Sequence, residues 1–174
     1  MMRIIRSFIY GNTASTAVEF GLVAAPFVAV LVALLEVALV FIASEVLEIG
    51  VDQTSRSIMT GQVQKSKMTA SQFATALCAK VNVFFSCSGL MVNVQAFDSF
   101  SGASATPPTL TFNSKGQVTN NWQFQPGTQG QIVVVQVMYQ WPVILGPLGF
   151  TLANLSNGNR LLVATAAFKN EPYQ

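Results

Sequence analysis

One apolar run constrains this chain more than any other feature. Phe20 to Ile42 is 23 residues, about 34 Å as a helix, against a bilayer hydrocarbon core of about 30 Å. Fifteen of these residues are Leu, Ile, Val or Phe, and together they favour insertion by roughly 4.5–9 kcal/mol. The single ionisable residue in the run is Glu36. It opposes insertion by about 2–3 kcal/mol, and by less because it lies off-centre. The balance predicts a membrane-spanning helix over about 20–42, with Glu36 as an intramembrane acid. A second carboxylate, Glu19, stands at the lip of the run.

Charge before the run sets the expected orientation. Arg3 and Arg6 precede Glu19, so residues 1–14 read as a short basic leader held in the cytoplasm, and the remainder lies across the inner membrane in the periplasm. A cleaved secretory signal is the competing reading. Its apolar core is about 7–15 residues long and a small-residue cut site follows at once. Here the core is longer, a polar stretch from Gly11 to Thr16 and then Glu19 come before it, and Ala43-Ser44-Glu45 is a poor exit site. These features favour a retained single-pass anchor.

Cysteine usage fits an oxidising compartment. Cys78 and Cys87 are the only two cysteines, an even count that reads as a disulfide outside the cytoplasm. Two buried free thiols are the alternative. With no histidine in the chain, two cysteines do not complete a four-ligand zinc site, and eight intervening residues are too many for a thioredoxin-like pair. Charged residues are 9% of the chain and the net charge is +2, against about 25% charged in ordinary domains. No basic stripe offers nucleic acid an electrostatic partner. So few charges also suggest a surface that is covered in an assembly, although Ser, Thr, Asn and Gln can replace charge on a wet surface.

The helical pattern continues past the run. Val46, Ile49, Val51 and Ile58 suit an apolar stripe, with Glu45, Glu48, Asp52 and Arg56 on the wet face. Thr60-Gly61 is the expected stop, so one long helix covers 15–62. A short second helix opens at Thr69 or Ser71 and runs to about Lys80, with Thr69 and Gln72 spaced as a capping box. From Leu90 the period changes to two, with Val92, Val94 and Ala96 alternating against polar neighbours. Gln131 to Trp141 is rich in β-branched and aromatic residues and predicts a strand ended by Pro142. Pro142, Pro147, Gln136 and Gln140 argue against a second span over 132–150. A last strand over Arg160 to Lys169 is expected to pair antiparallel with it. The expected fold is α+β: a long N-terminal helix, then an extracytoplasmic domain over 63–174 built on an antiparallel sheet.

Catalysis has few candidate groups. Without histidine, neither Ser-His-Asp nor Cys-His chemistry can be assembled. Beyond the first helix the only acids are Asp98 and Glu171, too few for a paired-carboxylate hydrolase or a calcium cage. No phosphate-cradling glycine motif is present. The chain reads as a non-enzyme without cofactor, metal or small-molecule substrate.

Ala14-Ser15-Thr16-Ala17-Val18-Glu19-Phe20-Gly21-Leu22-Val23-Ala24-Ala25-Pro26 resembles the N-terminus of the TadE-like family, minor pseudopilins of the tight-adherence (Flp-type) pilus machinery related to type IVb pilins. Glu36-Val37, the Ser55–Gln62 segment, Cys78 and Cys87, Tyr139–Pro142 and the Phe168–Tyr173 tail are similar to family features as well. The resemblance implies a partner set of other pilins, pilus assembly proteins and a prepilin peptidase. That peptidase would cut between Ala14 and Ser15, four residues ahead of Glu19, with Phe20 following the acid. The new amino group and Glu19 would then pair within or between subunits. This chain departs from the family at Ala14, where glycine is usual; Gly11 is the nearest glycine, and its use would put Glu19 at the eighth position. Small residues Gly21, Ala24, Ala25, Ala29 and Ala33 offer a close-contact helix face. Two other readings stand beside the pilus one: a single-span envelope protein whose outer domain binds a ligand or machine partner, and a pseudopilin of a general secretion system.

Overall fold

The computed structural model describes residues 12–104, 106–114, 116–144 and 151–173. Arg3, Arg6, Gly11 and Pro147, which enter the sequence argument, lie outside these residues. Helix α1 runs from Asn12 to Met59 and contains Pro26. Lipid-exposed helices accept an internal proline because neighbouring groups re-satisfy the freed carbonyl. The described residues separate into two compact units, one holding α1 up to Leu39 and the other running from Val40 to Val143 and on from Ala153. The second unit therefore takes in the last 20 of the 48 residues of α1.

In the first unit the large apolar side chains of α1 are exposed around most of the helix. Phe20 is 76% and Leu35 65% exposed, and Leu22, Val23, Phe27, Val30 and Leu34 are exposed as well. A helix apolar on all sides and uncovered has no stable place in water. It is the one described helix long and apolar enough to cross a membrane.

In the second unit the same helix is amphipathic. Val40, Ala43, Leu47, Val51, Thr54 and Ile58 are buried, at the three- and four-residue spacing of one helix face. Glu45, Glu48, Asp52 and Arg56 are exposed between them. Gly50 lets α1 approach the next long helix: a Cβ there would fall 2.3 Å from Val81 Cγ1. Helix α1 stops at Gly61, whose φ of 75° is left-handed and whose missing side chain leaves room for the Tyr173 ring. Glu171 N–H donates to the Met59 carbonyl at 2.9 Å, so the C-terminal tail satisfies one of the helix's open acceptors.

After the one-turn helix α2 (Gln62–Lys65), helix α3 (Ala70–Val81) begins with the predicted capping box. Thr69 Oγ1 accepts from Gln72 N–H while Gln72 Oε1 accepts from Thr69 N–H. Phe73, Leu77, Cys78 and Val81 form its buried face. Cys78 is bonded to Cys87, with Cα atoms 5.5 Å apart. The bond ties α3 to a 3₁₀ turn, Cys87–Gly89, just ahead of β1 (Met91–Phe97). Strands β2 (Ile132–Pro142) and β3 (Asn159–Lys169) complete an antiparallel sheet of order β1-β2-β3.

Register explains the composition of the strands. Val94, Val135 and Ala166 lie across from one another, as do Val92, Val137 and Ala164, and partners in such a ladder share a face. All six of these residues except the half-buried Val92 are buried, while Val163, Thr165 and Ala167 on the opposite face of β3 are exposed. Central β2 is buried on both faces from Ile132 to Met138, which accounts for its almost unbroken run of β-branched residues. On the second face, Asn93 Nδ2 donates to Gln136 Oε1 at 3.3 Å, and Asn93 Oδ1 accepts from Gln123 N–H at 3.1 Å. The long β1–β2 connection is pinned where Val94 exchanges backbone hydrogen bonds with Gln123 and Gln125, and where Phe124 rests on Phe73 with ring centroids 5.5 Å apart.

Candidate assembly site

The candidate site is the surface of α1 and the features that orient it. Glu19 and Phe20 are both exposed on the helix. Ala14 and Ser15 lie in its first turns, which puts the expected cut and the acid on one continuous stretch of helix. Glu36 behaves differently from Glu19. It is only 9% exposed, and its Oε1 is buried without a hydrogen-bond partner. A carboxylate oxygen in that state costs free energy unless a partner satisfies it. On the helix, Glu36 shares a face with Ala29 and Ala33, both half-buried, and with Val40 and Ala43. Of the small residues read as a contact face, Gly21 and Ala25 are exposed and Ala24 is half-buried.

Sequence reasoning did not find the junction that fixes the end of α1. Buried Asn170 donates from Nδ2 to the carbonyls of Pro126 (2.9 Å) and Thr128 (3.1 Å). Its backbone N–H donates to Gln131 O, and its carbonyl accepts from Gly130 N–H. Gln64 Nε2 donates to the same Pro126 carbonyl at 2.8 Å. The Gly61–Gln62 corner and the Asn170–Tyr173 tail, 110 residues apart in sequence, thus close on each other. The available signal was the pairing of an isolated Thr-Gly with an aromatic near the C-terminus, which no spacing rule links.

A second cluster holds the disulfide end of α3 against the sheet. Phe85 packs edge-on to Tyr139, with centroids 4.9 Å apart, and to Trp141 at 5.7 Å. Gly89 leaves space for the Tyr139 ring. A cleft of about 410 Å³ beside α1 is lined by Asp52, Ser55, Arg56 and Met59 of the helix and Thr165–Phe168 of β3. Among the described residues no group of three or more Cys, Asp or Glu side chains is arranged to hold a metal ion.

Comparison with known proteins adds one finding. A family model described as TadE-like protein matches residues 14–56, a stretch contained within α1 that includes Glu19, Glu36 and Arg56. Neither the curated proteins nor the solved structures give a significant match. The first helix is therefore TadE-like, and the sheet domain after it stands on its own geometry.

Proposed function

We propose that this TadE-like chain is a membrane-anchored minor pseudopilin of a tight-adherence pilus machine, acting by helix packing rather than by catalysis. One observation carries the reading. A single helix, Asn12–Met59, is apolar and uncovered on its early turns and becomes the spine of a compact α+β domain on its late ones. That is the form a subunit needs if it is to wait in a membrane and then pack its helix against those of other subunits. The TadE-like match over 14–56 supports the same assignment.

In this reading the tail before α1 stays in the cytoplasm and the sheet domain lies in the periplasm. A prepilin peptidase cuts between Ala14 and Ser15, and the new amino group pairs with Glu19 of the same or an adjacent subunit. Glu36 provides a second polar contact within the helix layer, because its buried oxygen gains a partner on assembly. The alternative is a single-span envelope protein that never enters a fibre.

Two measurements test the proposal. N-terminal sequencing of membrane-extracted protein is expected to begin at Ser15 in cells with the peptidase and at Met1 in cells without it; Met1 in both refutes the cut. Sheared surface fibres are expected to carry the protein. Its complete retention in the membrane while fibres form normally refutes a place in the fibre and favours the envelope-protein alternative.

A further inference from the structure

Strand β3 is an edge of the β1-β2-β3 sheet, and contacts at its two ends show which way its backbone groups point. Asn170, just past the strand, donates its backbone N–H to the Gln131 carbonyl on the β2 side. On the other side, Leu161 N–H donates to Asn154 Oδ1, and the Asn159 carbonyl accepts from Asn154 N–H. Backbone groups alternate in direction along an antiparallel strand. Even-numbered residues of β3 therefore pair with β2, and odd-numbered ones face outward. Among the described residues, Val163, Thr165 and Ala167 have no backbone hydrogen bond on that outer side.

An open edge is ordinarily blunted by charge, proline, a bulge or a covering segment. Leu161 to Phe168 (Leu-Leu-Val-Ala-Thr-Ala-Ala-Phe) has no charge, proline or glycine, and its register against β2 is unbroken. The cleft between the late turns of α1 and Thr165–Phe168 runs beside this edge, so the helix does not seal it. The opposite edge is treated differently. On β1, Val94 N–H donates to the Gln123 carbonyl and the Val94 carbonyl accepts from Gln125 N–H. A second copy of the chain thus has its β1 edge occupied and its β3 edge free.

We infer that a second copy of this chain adds its own β3 antiparallel to this edge, joining two three-stranded sheets into one. The strand is self-complementary for such a contact. A two-fold axis at Thr165, midway between Val163 and Ala167, sets Thr165 opposite itself and Val163 opposite Ala167 of the second copy. In that register Arg160 faces Asn170 and Lys169 faces Leu161, so no like charges oppose each other across the seam. The outward N–H and C=O groups of Val163, Thr165 and Ala167 then gain the partners that an isolated domain lacks. The contact rests on the sheet alone, and it stands or falls independently of leader cleavage and of a place in a fibre.

Cross-linking of the full chain in vesicles tests it, with the native Cys78–Cys87 pair left oxidised. Thr165 and Ser114 are both exposed, and each is replaced singly by cysteine. Residues opposite in a hydrogen-bonded pair have Cα atoms about 5.5 Å apart, within reach of the short thiol-bridging reagent dibromobimane. Thr165→Cys is expected to give several-fold more covalent dimer than Ser114→Cys. Two charge variants are then built on Thr165→Cys. Val163→Lys with Ala167→Lys sets like charges opposite each other and should lower the dimer yield several-fold. Val163→Lys with Ala167→Glu sets opposite charges there and should return it. Residues 163 and 167 are exposed in the single chain, so both variants place charge at the same surface positions. A Thr165 yield no higher than that at Ser114 overturns the inference. So does a yield from the Lys/Lys variant that equals or exceeds that from the Lys/Glu variant.

Discussion

The two parts of α1 carry their apolar residues in different ways. Up to Leu39 the helix carries Leu, Val and Phe on most of its circumference, and they are exposed. From Val40 to Ile58 one face, Val40, Ala43, Leu47, Val51 and Ile58, is buried, while the acids and Arg56 are exposed together with Phe41, Ile42 and Ile49. The first pattern calls for a solvent that is itself apolar; the second needs only the rest of its own chain. One helix therefore shows two patterns of exposure, and the boundary between the two units falls between Leu39 and Val40.

Substitutions that separate the two parts test this most severely, and the largest effect belongs to the core face. Leu47→Ala removes a side chain that is 1% exposed and is expected to destabilise the domain by about 2–5 kcal/mol. Leu35→Ala, at a 65% exposed position, should leave it within about 0.5 kcal/mol. Denaturant unfolding of detergent-solubilised protein, followed by near-ultraviolet circular dichroism, compares them, and equal losses would erase the distinction. Reduction of Cys78–Cys87 comes next. It opens a loop of about ten residues, which in the chain-entropy model lowers stability by roughly 2.5–3 kcal/mol, read as a lower unfolding midpoint with reductant.

Smaller effects sharpen the account of the second part. Gly50→Ala would set a methyl against Val81 Cγ1 at a spacing side chains do not adopt, and overpacking of this kind costs about 1–3 kcal/mol. Gly21→Ala, where nothing lies within 4 Å, should be neutral in the same assay. Thr69→Ala removes one side of the capping box on α3 and is expected to cost about 1 kcal/mol, seen as a shift in thermal midpoint.

Legibility in the sequence followed how local the cause was. The apolar run, the capping box from Thr69 to Gln72, and the three strands with their limits near 91, 132 and 169 rest on periodicity, capping and β-branched composition, and the structure has them. The α+β class follows from their order. What the sequence did not disclose depends on contacts distant along the chain. Asn170 reads as an ordinary polar tail residue, yet it is buried and holds two loop carbonyls. Phe124 is legible as an aromatic pinning a stretch of loop composition, but no local pattern points to its parallel bridge with Val94. Glu36 was legible as an acid in an apolar run, but only the structure shows an oxygen without a partner.

The central claim is that α1 lies in lipid on its early turns and in its own domain on its late ones. A scan of single cysteines along α1 in proteoliposomes, probed with a water-soluble maleimide, tests it most directly. Positions from 22 to 35 are expected to be unreactive on every face, whereas positions from 44 to 57 should react with a period of about 3.6 residues, strongest at 45, 48, 52 and 56. A 3.6-residue reactive stripe within 22–35 would contradict the claim, because it would place water along a helix assigned to the membrane.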